Sequence, residues 1–133
     1  MGGIKYSGPG VPEMTVPTAL ATAVYVGYGA TGGQVVVNTT GVLGLGVMKE
    51  ACAVGQGPEI AGPTEYTDAE IGTGGADAGQ YLKATTGGKL IVATDGSIAV
   101  ARAHEDIAAD TRGTVRVIEA MEITNVSLLH AGS

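Results

Sequence analysis

Glycine sets the limits on what this chain can fold into. It fills 23 of 133 positions, and short apolar runs rich in β-branched residues stand between its clusters. Glycine weakens helix interiors and supplies the backbone angles that tight turns need. Only residues 99–109 and 119–129 can be written as helices. Strand and turn alternate elsewhere. Residues 19–28 (ALATAVYVGY) read as a strand, Gly29 to Gly33 as a turn, and residues 34–40 (QVVVNTT) as a β-branched strand closed by Gly41. Residues 42–54 are apolar with Gly44 and Gly46 inside, which signals a bulge or a close backbone approach.

The clearest pattern lies between 79 and 118. GQYLKATTGGKLIVAT (79–94) reads as two strands around Thr85-Thr86-Gly87-Gly88, a hairpin. Asp95-Gly96 makes the next turn. SIAVARA (97–103) alternates, with Ile98 and Val100 opposite Ala99 and Ala101. In the run from Gly113 to Ile123, Val115 and Val117 face away from Thr114, Arg116 and Ile118. Such spacing predicts an all-β domain, a small sandwich or barrel, and its glycine-rich turns favour a sheet that hides its edges.

Two segments are expected to stand apart. Residues 1–18 carry Pro9, Pro12 and Pro17, which hold backbone extended. They read as an arm whose Ile4, Tyr6, Val11, Met14 and Val16 bury against a partner; the alternative is a disordered terminus. Residues 55–78, rich in Gly, Pro, Thr and Asp, read as a long loop. The single β domain then spans 19–133, with 119–133 as a C-terminal strand or tail.

The core must be thin. No Phe or Trp is present and Tyr supplies all 5 aromatics. Burial is spread over small contacts, at roughly 25 cal/mol per Å² of apolar area. Partner subunits would then add stability by mass action.

Charge and motifs exclude several classes. The formal charge is −6, with 7 basic residues scattered along the chain. Nucleic-acid backbones are bound by clustered Lys and Arg, so no nucleic-acid partner is expected. No apolar run approaches the roughly 18–20 residues of a membrane span, and no membrane partner is expected. The opening residues lack the apolar core of a signal peptide, which predicts synthesis in a cytoplasm. Cys52 is the one cysteine and is expected to be a buried structural thiol.

Gly44 and Gly46 begin a dinucleotide fingerprint, but Lys49 stands at its third glycine. Gly88-Lys89 fails as a phosphate loop, because Lys83 and Leu90 stand where Gly and Ser or Thr belong. His104-Glu105-Asp106 puts three ionisable groups in a row, whose alternate faces rarely converge on a metal. Glu59, Glu65, Asp68, Glu70 and Asp77 crowd the 55–78 segment and read as a solvated loop. No catalytic, metal or cofactor residues are assigned.

The hairpin and strands carry a resemblance. AGQYLKATTGGKLIVAT (78–94), SIAVARAHEDIAADTRG (97–113) and TVRV (114–117) resemble the capsid decoration, or cement, proteins of tailed bacteriophages, and GGQVVVNTTGVLGLGV (32–47) matches less tightly. The chain departs from that pattern in its long 52–78 segment, its apolar tail and its own N-terminal sequence. The resemblance implies a β-tulip-type domain on the outside of a phage head, a homotrimer that bridges major capsid subunits. The capsid-binding arm would be Ile4, Tyr6, Pro9, Val11, Pro12, Met14, Val16 and Pro17. Met121, Ile123, Val126, Leu128 and Leu129 would cover a neighbouring copy. Two rival readings are a head-fibre or host-surface adhesin, using 55–78 for recognition, and a small β-barrel enzyme using the 59–77 carboxylates.

Overall fold

The computed structural model describes residues 4–5, 16–28, 34–37 and 44–123. The regular elements among the described residues are all β strands apart from one 3-10 turn at Thr86–Gly88. The strands are β1 (Ile4–Lys5), β2 (Tyr25–Tyr28), β3 (Val35–Val37), β4 (Gly46–Met48) and β5 (Glu59–Ala61). They continue as β6 (Tyr66–Glu70), β7 (Tyr81–Ala84), β8 (Leu90–Val92), β9 (Ile98–Ala103) and β10 (Arg112–Glu122). They form two five-stranded sheets, ordered β1-β5-β4-β2-β3 and β6-β10-β9-β7-β8. Every strand pair is antiparallel.

The second sheet curls toward closure. Its edge strands are β6 and β8, and a parallel bridge joins Ile71, just past β6, to Leu90 of β8. The Gly72 amide donates to the Leu90 carbonyl at 2.8 Å. Curling blunts the open edges that an isolated sheet would expose. Inward positions follow the strand period of two. Ala69, Leu82, Ala84, Leu90, Ala101, Ala103, Val115 and Val117 are all buried in one cluster. Half of them are alanine, which lets a small sheet close tightly. β10 carries an irregularity between Val117 and Met121, and the strand continues to Glu122 where a helix was the alternative.

The first sheet is buried on both faces. Tyr25, Val47 and Ala61 join the core of the second sheet. Val26, Val35, Met48 and Ile60 form a second cluster with Val16, Leu20, Val24 and Cys52. The chain over 16–24 therefore covers one face before entering β2. Its course is fixed by paired Leu20–Cys52 hydrogen bonds, each 2.9 Å, and by Ala23, whose φ of 69° turns the backbone. The expected strand over 19–28 is thus confined to Tyr25–Tyr28.

The segment 55–78 is not one long loop. It contains β5 and β6, and both are structural. β5 bridges β1 and β4, and β6 pairs with β10 from Tyr66 to Glu70. β5 is three residues long, and β6 buries only Ala69 fully, so neither shows the alternating apolar pattern that marks a strand.

Gly44 and Gly46 are sites of close approach. A Cβ on Gly44 would lie 2.6 Å from Tyr25 Cε2. Gly46 has φ +151°, and a Cβ there would fall on the Ala61 carbonyl oxygen. The Gly44 amide donates to the Tyr25 hydroxyl at 3.2 Å, while burial pushes the Tyr25 phenol above its ordinary value of 10.0.

Cys52 is 6% exposed, and burial, aided by the nearby Glu50 charge, pushes its thiol up. The thiolate is the reactive species. Alkylation of the folded protein near neutral pH is therefore expected to be at least ~10-fold slower than in denaturant. Equal rates, followed by mass spectrometry, would show that the Leu20–Cys52 pairing opens freely.

Candidate interaction surface

The expected arm residues divide. Val16 is 1% exposed, in the core of its own chain, and Pro17 is exposed. β1 pairs Ile4 with Ile60 and Lys5 with Glu59. Tyr6, Pro9, Val11, Pro12 and Met14 lie outside the described residues. Val16 is thus already covered within the chain and offers no apolar surface to a partner.

The tail residues divide as well. Ile123 is fully buried with Ala93 and Ala99, and Met121 packs half-buried against them. The Gly96 amide donates to the Ile123 carbonyl at 2.7 Å. Ile123 is therefore a core residue, not part of a surface that could cover a neighbour. Val126, Leu128 and Leu129 lie outside the described residues.

The carboxylates of 59–77 do not converge. Glu59 sits on β5 of the first sheet and Asp77 in an exposed turn. Glu65 accepts from the Gly62 amide at 3.1 Å and stands 3.6 Å from Lys49 Nζ. Glu70 is ion-paired to Arg112, and Asp68 accepts from the Thr114 hydroxyl at 3.4 Å. Among the described residues no group of three or more His, Cys, Asp or Glu is placed to hold a metal ion. No helix of the described residues is long and apolar enough to cross a membrane.

A different constellation occupies the outer face of the second sheet. Strand register sets Tyr66 opposite Arg116, Arg116 opposite Arg102, and Arg102 opposite Tyr81. Directly opposed residues share a face, so the four make one row across β6, β10, β9 and β7. The Arg102 guanidinium lies 4.9 Å from the centre of the Tyr81 ring, and that of Arg116 lies 5.9 Å from Tyr66. The Tyr66 ring also meets the His104 ring edge-on at 5.0 Å. Arg102 Nε donates to the Gly79 carbonyl at 2.8 Å, which anchors its stem.

Two like charges directly opposite on a sheet repel. Stacking on the two rings offsets this, at about 0.5–1 kcal/mol for each exposed pair. Tyr66 is 56% exposed and Arg116 is exposed. The sequence gives a partial signal: Arg102 and Arg116 interrupt apolar alternation at the outward parity. The row itself requires the register, which unites positions 50 residues apart.

Comparison with known proteins adds a fold. No protein-family profile matches the sequence, and no curated protein matches it. Among solved structures, the chain is similar to the N base of head fibre gp8.5 in bacteriophage phi29, with a TM-score of 0.64 at 12% identity. The likeness covers 82% of this chain and 94% of that one.

Proposed function

We propose that this chain is a structural protein of a bacteriophage head, without enzymatic activity, that attaches to the outer capsid surface. The observation that carries this reading is the fold shared with a head-fibre base over 82% of this chain and 94% of that one. The resemblance of 78–117 to capsid decoration proteins points the same way. So does a site region whose carboxylates serve ion pairs and turns instead of converging. In this reading the chain binds the major capsid protein as a homotrimer and bridges neighbouring subunits. Trimerisation would raise weak individual contacts to useful avidity through effective concentration.

A second reading is supported by the name of the neighbour itself. If this chain has the part that the neighbour's name states, it would be the base of a head fibre, an attachment module and not a clamp. Both readings place the chain on the virion.

The experiment adds purified chain to heads that lack it. The chain is expected to co-sediment with the heads and to raise the temperature at which they release DNA. Co-sedimentation without thermal protection, with a projection seen by electron microscopy, selects the fibre-base reading. Failure to co-sediment at any chain concentration overturns both.

A further inference from the structure

We propose that Asp95-Gly96 is a modification site, where isoaspartate forms without an enzyme, and that the end of β10 holds it closed in the folded chain. The inference stands on this turn alone and is independent of the head-surface reading.

Sequence and exposure supply the first argument. No other aspartate or asparagine of the chain precedes glycine. A Cβ on the following residue crowds the backbone nitrogen that must close on the aspartate side chain, and glycine has none. Thr94, Asp95 and Gly96 are exposed, and a Cβ built on Gly96 would meet nothing within 4 Å. Water, the one co-reactant, therefore reaches the turn. The Gly96 nitrogen attacks the side-chain carbonyl carbon of Asp95. The new C–N bond closes a succinimide ring, and the amide proton and the carboxyl hydroxyl leave as water. Water then adds to one of the two ring carbonyls and breaks its bond to nitrogen. Opening at the main-chain carbonyl leaves the chain running through the side-chain carbon, one methylene longer. One water is lost and one regained, and nothing is oxidised or reduced.

The hydrogen bonds of the same turn supply the second argument. The Ser97 amide donates to the Thr94 carbonyl at 3.0 Å and closes a turn in which Gly96 has φ +86°. The Gly96 amide donates to the Ile123 carbonyl at 2.7 Å, and the Ile123 amide donates back to the Ser97 carbonyl at 2.8 Å. The proton that the Gly96 nitrogen must lose is thus held by Ile123. That residue is anchored in turn, fully buried with Ala93 and Ala99. The nitrogen is released only when this end of β10 lifts. Such a local opening leaves the ladders of β10 with β6 and with the later part of β9 in place. Isoaspartate enlarges the Thr94–Ser97 turn that presents Gly96 and Ser97 to Ile123, so the lifted end no longer reseats.

The test incubates the full chain at neutral pH, folded and in guanidinium chloride, and quantifies isoaspartate at position 95 by fragmentation mass spectrometry. Isoaspartate is expected to accumulate in denaturant and at least ~10-fold more slowly in the folded chain. Ile123→Val trims the buried anchor and should speed the folded reaction about 2–10-fold, the equivalent of one lost branch methyl in a core. Gly87→Ala weakens the fold away from this turn and should leave the folded rate unchanged. Circular dichroism verifies that both variants fold. The proposal is overturned if no isoaspartate forms in denaturant, or if the folded chain reacts as fast as the unfolded one. It is equally overturned if Ile123→Val has no effect, or if Gly87→Ala accelerates the reaction as much, since the site would then open only on global unfolding.

Discussion

Gly46→Ala is expected to cost about 4 kcal/mol or more of folding stability, among the largest losses that single substitutions produce. Two separate effects meet at this residue. Its φ of +151° is a backbone conformation that side-chain-bearing residues rarely adopt. The added Cβ would also land on the Ala61 carbonyl oxygen and 2.9 Å from Ile60 Cγ2. β4 is held between β2 on one side and β5 on the other, with Gly46 opposite Val26 and Val47 opposite Ala61. Relief on one side therefore breaks pairing on the other. Gly87→Ala isolates the first effect. That residue has φ +83° with nothing within 4 Å of a Cβ, so the loss should be only about 1–2 kcal/mol, the left-handed penalty alone. Urea unfolding of the two variants measures the difference. Equal losses would show that β4 and β5 separate without cost at this point, and that the close approach of Gly46 to Ala61 does not constrain the first sheet.

The legible parts of this fold are those where one strand declares itself without help. Tyr81–Ala84 and Leu90–Val92 alternate around paired glycines, and the structure pairs them as a hairpin. Ile98–Ala103 and the start of β10 show inward alanine and valine at period two. Illegible parts depend on partners distant in sequence. Glu59–Ala61 is a strand because β1 and β4 flank it, not because three residues have a pattern. Tyr66–Glu70 reads as an acidic loop until Val115 and its neighbours supply the ladder. Val16 lies among prolines that suggest an arm, yet Met48 and Ile60 form the apolar face it covers. The Tyr66, Arg116, Arg102 and Tyr81 row belongs to the same class. Each residue alone is an ordinary outward side chain, and only the register of four strands brings them together.

Leu82→Ala should lose about 3–5 kcal/mol, the upper part of the range for removing a buried leucine. Leu82 is fully buried, opposite Val92 on one side and Ala101 on the other, within the interior of the curled sheet. The cost of such a cavity depends on how far its walls can collapse. Here the wall includes Ala69, Ala84, Ala101 and Ala103, whose methyl groups have no rotamers with which to fill a void. The bridge between Ile71 and Leu90 further limits inward movement of the two edge strands. Small domains have only about 5–15 kcal/mol in total, so Leu82→Ala could leave a large unfolded fraction. Leu82→Met preserves most of the volume and should cost less than about 1.5 kcal/mol, which keeps the comparison readable. Denaturant midpoints should fall in that order with little change in slope, since slope follows the surface exposed on unfolding. If Leu82→Ala lost less than about 1 kcal/mol, the alanine-lined interior would be yielding, not close-packed. The stability of the domain would then have to rest on the second cluster, where Val16, Met48 and Ile60 hold the first sheet.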